Sequence, residues 1–522
     1  MNDLKQQFQI LEVNKMAQEL LEVQESKTVI DRNSYHLFQY RGDKMLYDIA
    51  TGVICELNDF TYRLLGLCGG HCWAEAIDII EREYSGVSEE EVLATLDLLK
   101  GRGFFSHRFL DREIQHPNMD ELWQHKPRRL QLFLAQKCNL ACRYCYAENS
   151  GSNARNKLMG WDVAKSAVDY LVKRSGEREN LRVTFFGGEP LLNYKVLRRV
   201  VVYCDELSQR TGKKFSFELI TNGTLLNKEI ADYVAERNFS LLISIDGWRE
   251  MHNFQRPSVD GRDYYDTILN NAKYIVKRYR ELKSRTRIFI RANMTPRYHD
   301  ARKIVDYLEG QGFNSVGVSS IVSLPYDDET PGALTREQMD VIDSDYEQLL
   351  LEILLDLEQG RRLSPYRNRY ISTMVMHKLK EGMTLGITCG IGRNTNAVDC
   401  DGNIYPCHRY VGMDKYIIGD IFSGLSPSRT MGLYHEYNQC ALKECSGCWA
   451  HRICAGGCAW ERSAPDGAIY ERMPTDCERF RRTIEKFMWL DKEMRKRCPG
   501  VYSDMQKSRG RGDEEIKNWS WD

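Results

Sequence analysis

Ten of the 17 cysteines fall in two patterned groups, one before residue 150 and one after residue 388. Cys138, Cys142 and Cys145 form C-x3-C-x2-C directly after a predicted strand. Three thiolates in so short a loop can hold three irons of a [4Fe–4S] cube. Such cubes normally take four protein thiolates, so one iron is left open for a small molecule. Structural zinc would take four protein ligands instead. The second group comprises Cys389, Cys407, Cys445, Cys448, Cys454, Cys458 and Cys477. Its C-x2-C step is also zinc spacing, but the three-cysteine loop upstream favours iron and sulfur. Residues 1–15 are polar and carry both charge signs, with no apolar run of a secretory signal. In a cytoplasmic chain, clustered cysteines bind metal or do redox chemistry rather than form disulfides.

The first spacing, with Tyr144 before its third cysteine, resembles the radical S-adenosylmethionine (SAM) superfamily over residues 128–320. That resemblance implies a (β/α)6 partial barrel with its site at the C-terminal ends of the strands. It also implies that the open iron binds SAM, which on reduction gives a 5′-deoxyadenosyl radical. Gly187, Gly188, Glu189 and Pro190 follow the second strand and are similar to the motif that holds the SAM amino group. The glycines permit close backbone approach, and the carboxylate can accept from an ammonium. Asn222 ends the third strand, and Ser244 ends the fourth as a SAM-contacting hydroxyl. Arg291 closes the fifth and can pair with the SAM carboxylate; Arg256 competes for that role. The alternative for each polar residue is a strand-end cap.

The seven later cysteines, with Gly402 before Cys407, resemble the SPASM domain, which binds two auxiliary [4Fe–4S] clusters. The resemblance implies one cluster on Cys445, Cys448, Cys454 and Cys477, and another on Cys389, Cys407 and Cys458. With the SAM-binding cluster this makes three [4Fe–4S] clusters. Sulfatase maturases carry a further cysteine where this chain has Thr395. Cys400 or Cys440 could replace it, or the position is open to a substrate thiolate. Those maturases also carry an aspartate after the second of these cysteines, where this chain has His408. That feature is similar to maturases that crosslink ribosomal peptides through thioethers. His408 is either an acid/base near neutral pH or a donor to cluster sulfur. Cys55, Cys68, Cys72, Cys204 and Cys498 fit no motif and read as small buried residues.

Elements must position these groups. Predicted strands at 130–134, 181–186, 215–220, 240–245, 287–291 and 315–319 alternate with helices at 162–175, 192–209, 227–237, 263–282 and 299–310. Such alternation implies a parallel sheet wrapped by helices, and six units fall short of a closed barrel's eight. Upstream, residues 35–57 read as a strand pair turning at Arg41-Gly42-Asp43. Three helices follow, near 58–68, 73–84 and 88–101, the last opened by a Ser88/Glu91 capping box. The expected division is a helix at 1–29, a winged-helix-like domain at 30–107 and the barrel at 128–325. A helical bridge at 326–387, the cysteine-rich domain at 388–482 and a helix with a flexible tail at 483–522 complete it.

Residues 30–107 resemble the RiPP recognition element, most closely at 45–52 and 56–58; that element binds leader peptides by adding a strand to its sheet. A DNA-binding winged helix is the alternative, but its helices lack a basic face. Net charge is −1, giving no field for nucleic acid or anionic membrane. No uninterrupted apolar stretch is long enough for a membrane span. The expected function is a cytoplasmic radical SAM peptide maturase that forms a cysteine-sulfur-to-carbon thioether. A flavodoxin or ferredoxin would supply electrons. Carbon–carbon crosslinking, epimerisation and sulfatase-type oxidation are the alternatives within the same chemistry.

Overall fold

The computed structural model describes residues 34–101, 126–149, 156–371 and 392–506, apart from residues 50, 69–72, 85, 285, 287, 322, 326, 328, 329 and 393. The expected helix at 1–29, most of the linker, Cys72 and Cys389 lie outside the described residues.

The first domain has three strands where a pair was expected: β1 (Tyr35–Tyr40), β2 (Asp43–Asp48) and β3 (Ile54–Leu57), antiparallel in the order β1-β2-β3. The β1–β2 turn places Arg41 and Gly42 at φ 54° and 91°. Helices α1 (Asp59–Cys68), α2 (Trp73–Glu83) and α3 (Glu89–Gly101) follow. The capping box forms, since Ser88 N donates to Glu91 and Glu91 N donates to Ser88 Oγ. Strand alternation divides the sheet. Tyr35, Leu46 and Leu57 pack with α1–α3. Phe38, Met45, Tyr47 and Ile54 form a second core with residues much later in the chain.

The barrel follows as β4 (Arg129–Ala135), α4 (Trp161–Arg174), β5 (Asn180–Gly187), α5 (Tyr194–Thr211), β6 (Lys214–Thr221), α6 (Lys228–Glu236), β7 (Ser240–Ser244), α7 (Arg249–Gln255), α8 (Tyr265–Glu281), β8 (Ile288–Met294), α9 (Ala301–Gly310) and β9 (Val316–Ser320). Strands β4 to β9 are parallel neighbours in sequence order. Leu130, Leu132 and Leu134 pack among Ala164, Ala167, Val168 and Leu171 of α4. Period two then turns Arg129, Gln131 and Phe133 toward the barrel interior.

After β9 come α10 (Arg336–Glu358), opened by a Thr335/Gln338 capping box, and α11 (Pro365–Ile371). The cysteine-rich part contains β10 (Thr395–Val398), β11 (Asn403–Tyr405), β12 (Gly419–Asp420), β13 (Gly424–Leu425), α12 (Pro427–Cys445) and α13 (Pro474–Arg497). Two features depart from expectation. Strand β10 pairs parallel to β4, Thr395 opposite Arg129, so one ten-stranded sheet runs through the barrel and the cysteine-rich part. Helix α13 carries Cys477 in its first turn and runs straight through the boundary expected at 482/483. The first domain docks on this helix: Asp43 accepts from Trp489 Nε1 at 2.8 Å and Lys492 Nζ at 2.6 Å.

Candidate active site

The Cys138–Cys145 loop leaves the end of β4 and is tied down on two sides. On one side Gly188 N donates to Ala135 O at 2.7 Å, and Glu189 N to Lys137 O at 3.0 Å. This approach requires the two glycines. A Cβ on Gly187 would lie 2.1 Å from Ala135 O, and one on Gly188 would lie 2.4 Å from Lys137 O. On the other side Ala141 N donates to Pro257 O and Arg143 N to Gln255 O.

The thiols of Cys138, Cys142 and Cys145 are near enough for each charge to act on the others. Burial pushes Cys138 up to about 11 and Cys142 up to about 12. Buried thiols of this kind give up protons to a metal, not to neutral water. Donors already face the sulfurs. Leu140 N lies 3.4 Å and Asn222 Nδ2 3.7 Å from Cys138 Sγ, and Arg256 Nη1 lies 3.7 Å from Cys142 Sγ. Three thiols, sulfur-facing donors and a glycine cradle fit a cluster with one open iron.

Two of the surrounding residues carry hydrogen bonds that tie the site together. Glu189 is fully buried, and its carboxylate already accepts from Leu191 N, Thr221 Oγ1 and Asn222 N at 3.0, 2.8 and 2.8 Å. It locks β5 to the end of β6 and opens the buried Pro190–Asn193 turn. Burial pushes its carboxyl up to about 7. Arg256 donates through Nε to Asp246 at 3.0 Å, and its Nη1 lies 3.7 Å from Cys142 Sγ. Ser244, the last residue of β7, stands opposite Arg291 in register, but Arg291 is the middle residue of β8, which runs on to Met294 instead of closing at Arg291 as expected.

Asp246 was given no role from sequence, yet it organises the site. Fully buried, it accepts from Tyr144 OH at 2.5 Å, Gln255 Nε2 at 2.9 Å, Arg256 Nε at 3.0 Å and Asn293 N at 3.0 Å. A carboxylate at the C-terminal end of a barrel strand was the available signal.

In the second cysteine group, several thiols lie close enough for their charges to act on one another or on shared neighbours. Cys445 feels the charges of Cys448 and Cys454, and Cys477 that of Cys454. Cys407 and Cys458 both act on Arg409 and Tyr410. Among the described residues, buried Arg462 Nε, Arg472 Nε and Trp460 Nε1 have no acceptor. Unmet donors beside thiols suit an anionic cluster whose sulfides accept hydrogen bonds. Cys400 points elsewhere, its thiol donating to Phe133 O at 3.2 Å. Cys440 donates to Tyr470 O at 3.4 Å and lies beside Arg462.

The two groups meet across Tyr146. Its phenol is raised above the usual range by burial and, further, by the charges of Cys145 and Cys407. Phe133, Phe186, Tyr146 and Trp460 line the same core as Cys407. His408 packs against Phe186 and Tyr146 at centroid distances of 4.9 and 6.4 Å. Its backbone N donates to Gln131 Oε1 at 2.9 Å, which turns Gln131 Nε2 to His408 Nδ1 at 3.1 Å. Nδ1 therefore accepts, and the ring proton sits on Nε2. Burial, with Arg409 and Arg129 nearby, pushes the ring down to about 3.

Residues 132–295 match the radical SAM superfamily. An uncharacterised Methanocaldococcus jannaschii protein is 35% identical over 153 residues, a match spanning 29% of this chain and 49% of that one. This chain thus spans about half the length of that relative. The cysteine-type anaerobic sulfatase-maturating enzyme of Clostridium perfringens is 26% identical over 349 residues, covering 64% of this chain and 89% of that enzyme. A structure of native anSMEcpe with bound AdoMet aligns at a TM-score of 0.57 and 21% identity, over 73% of this chain and 100% of that one. The structural likeness shows a shared fold. Among the described residues no helix is long and apolar enough to cross a membrane.

Proposed function

We propose that this chain, a radical SAM enzyme related to the anaerobic sulfatase-maturating enzymes, crosslinks a ribosomally made precursor peptide. A carbon of one residue loses a hydrogen atom and is joined to a cysteine sulfur of the same peptide as a thioether. The observation that carries this reading is Tyr146, which directly follows Cys145 and packs against the buried hydrophobic cluster that contains Cys407. It supports a site where radical generation and an auxiliary cluster face one substrate.

A [4Fe–4S] cluster on Cys138, Cys142 and Cys145, with SAM on its open iron, supplies a 5′-deoxyadenosyl radical when reduced. The chain's own residues do the rest. Asn222 and Arg256 donate to the cysteine sulfurs, and Asp246 fixes Arg256 and Tyr144. Gly187 and Gly188 offer backbone to the SAM amino group, Ser244 a hydroxyl, and Arg291 a cation to its carboxylate. Phe133, Phe186, Tyr146 and His408 exclude water from the barrel mouth. Cys389, Cys407 and Cys458 would hold one auxiliary [4Fe–4S] cluster, which could take a peptide thiolate as its remaining ligand. Cys445, Cys448, Cys454 and Cys477 hold the other. Thioether formation removes two hydrogens, one as an atom and one as a proton with an electron. An auxiliary cluster would accept that electron, and a flavodoxin or ferredoxin would reduce the first cluster.

The first domain binds the leader. Its edge strand β3 has no further strand beside it among the described residues, which supports peptide addition there. Similarity to sulfatase-maturating enzymes favours a second reading, protein oxidation without a crosslink. Mass spectrometry after anaerobic turnover with SAM and a candidate cysteine-containing precursor separates the two. A peptide lighter by two hydrogens with one fewer alkylatable thiol supports the thioether; the same loss with every thiol free supports another oxidation.

A further inference from the structure

Arg462 is 1% exposed, and its Nη1 pairs with Glu444 at 2.9 Å beside Cys440 and Cys445. Arg472 Nη1 lies 3.8 Å from Cys454 Sγ, and its charge also reaches Cys477. The backbone makes room for this side chain: Gly457 is at φ 78°, and a Cβ there would sit 2.1 Å from Arg472 Nη1. The Nε of each arginine is buried without an acceptor. Glu461 is 3.5 Å from Arg472 and 3.9 Å from Arg409, which lies against Cys407 and Cys458. One carboxylate thus stands between guanidiniums that serve different cysteine sets.

We propose that Arg472 and Arg462 donate to the cluster held by Cys445, Cys448, Cys454 and Cys477 and raise its reduction potential, with Glu461 opposing them. This rests on the iron–sulfur reading above. A cube on four thiolates is anionic and gains a further negative charge on reduction. Nearby buried cations and hydrogen bonds to sulfur therefore stabilise the reduced form more than the oxidised form. The set on Cys445–Cys477 has two guanidiniums with unmet donors. Glu461 shares its charge between Arg472, at 3.5 Å, and Arg409 beside the other set, at 3.9 Å.

The test is a redox titration of the anaerobically reconstituted full chain, followed by electron paramagnetic resonance. A Cys445→Ala variant assigns the signal. Arg472→Gln should move that midpoint to more negative potential, while Arg472→Lys stays nearer to wild type. Glu461→Gln should move it the opposite way. An unchanged midpoint in Glu461→Gln, or in iron-replete Arg472→Gln, overturns the proposal. Should Arg472→Gln fail to assemble, the Glu461→Gln result decides alone. Wild-type protein holding iron only at Cys138–Cys145 would instead contradict the auxiliary-cluster reading.

Discussion

Arg256 joins the cysteine loop to the barrel: its Nε donates to Asp246 at 3.0 Å while its Nη1 lies 3.7 Å from Cys142 Sγ. Both partners of the ion pair are buried, with side-chain exposures of 8% and 0%. Removing one partner of such a pair leaves a charge without water or counterion. Arg256→Met should therefore destabilise the fold by about 3–5 kcal/mol, read as a lowered thermal midpoint. Asp246→Asn should also slow SAM cleavage, because it leaves Arg256 without its charge partner.

Gly188→Ala tests the close approach of β5 to the cysteine loop. The added Cβ would meet Lys137 O at 2.4 Å and Cys138 Cβ at 3.0 Å, so the loop must move away from β5. Iron content should fall by about one cluster's worth, the loss falling on the cluster that binds SAM. Iron analysis with SAM-perturbed electron paramagnetic resonance checks this. Unchanged loading would mean the cradle is not needed.

The first domain should loosen in acid. Burial alone would raise the Asp43 carboxyl, but the hydrogen bonds from Lys492 and Trp489 outweigh it and hold it below 3.8. A carboxyl depressed in the folded state stabilises above its unfolded value. That contribution is lost as pH falls below about 3.8 and through the folded value. Asp43→Asn should weaken docking by about 1–3 kcal/mol at neutral pH. Hydrogen exchange along β1–β3 and α13 would show it.

His408→Phe keeps the backbone bond to Gln131 but removes the Nδ1 acceptor. It should leave peptide-independent SAM cleavage near wild type and lower peptide modification roughly tenfold or more, a loss of about 1.4 kcal/mol or more. Comparing 5′-deoxyadenosine with modified peptide checks the split.

What the chain disclosed before its structure follows from the range of the interactions. Cys138, Cys142 and Cys145 are close in sequence, and the leucines of β4 alternate with a period that local sequence displays. Glu189 and Arg256 were found by position, but their roles depend on partners on other strands: Thr221 and Asn222 for one, Asp246 and Cys142 for the other. Asp246 offered only its place at a strand end. The β10–β4 pairing joins residues 395 and 129, and no local period records such a long-range parallel contact. Helix α12, with Pro427 at its start and Gly432 within, was hidden by its composition.

The most direct measurement of the central claim uses a precursor peptide deuterated at its candidate residues, with SAM, reductant and the reconstituted enzyme under anaerobic conditions. The account predicts deuterium in 5′-deoxyadenosine, matched by a peptide that has lost that deuterium and a free thiol. If SAM is cleaved but no deuterium moves from any peptide position, the peptide is not the hydrogen donor and the proposed function is wrong.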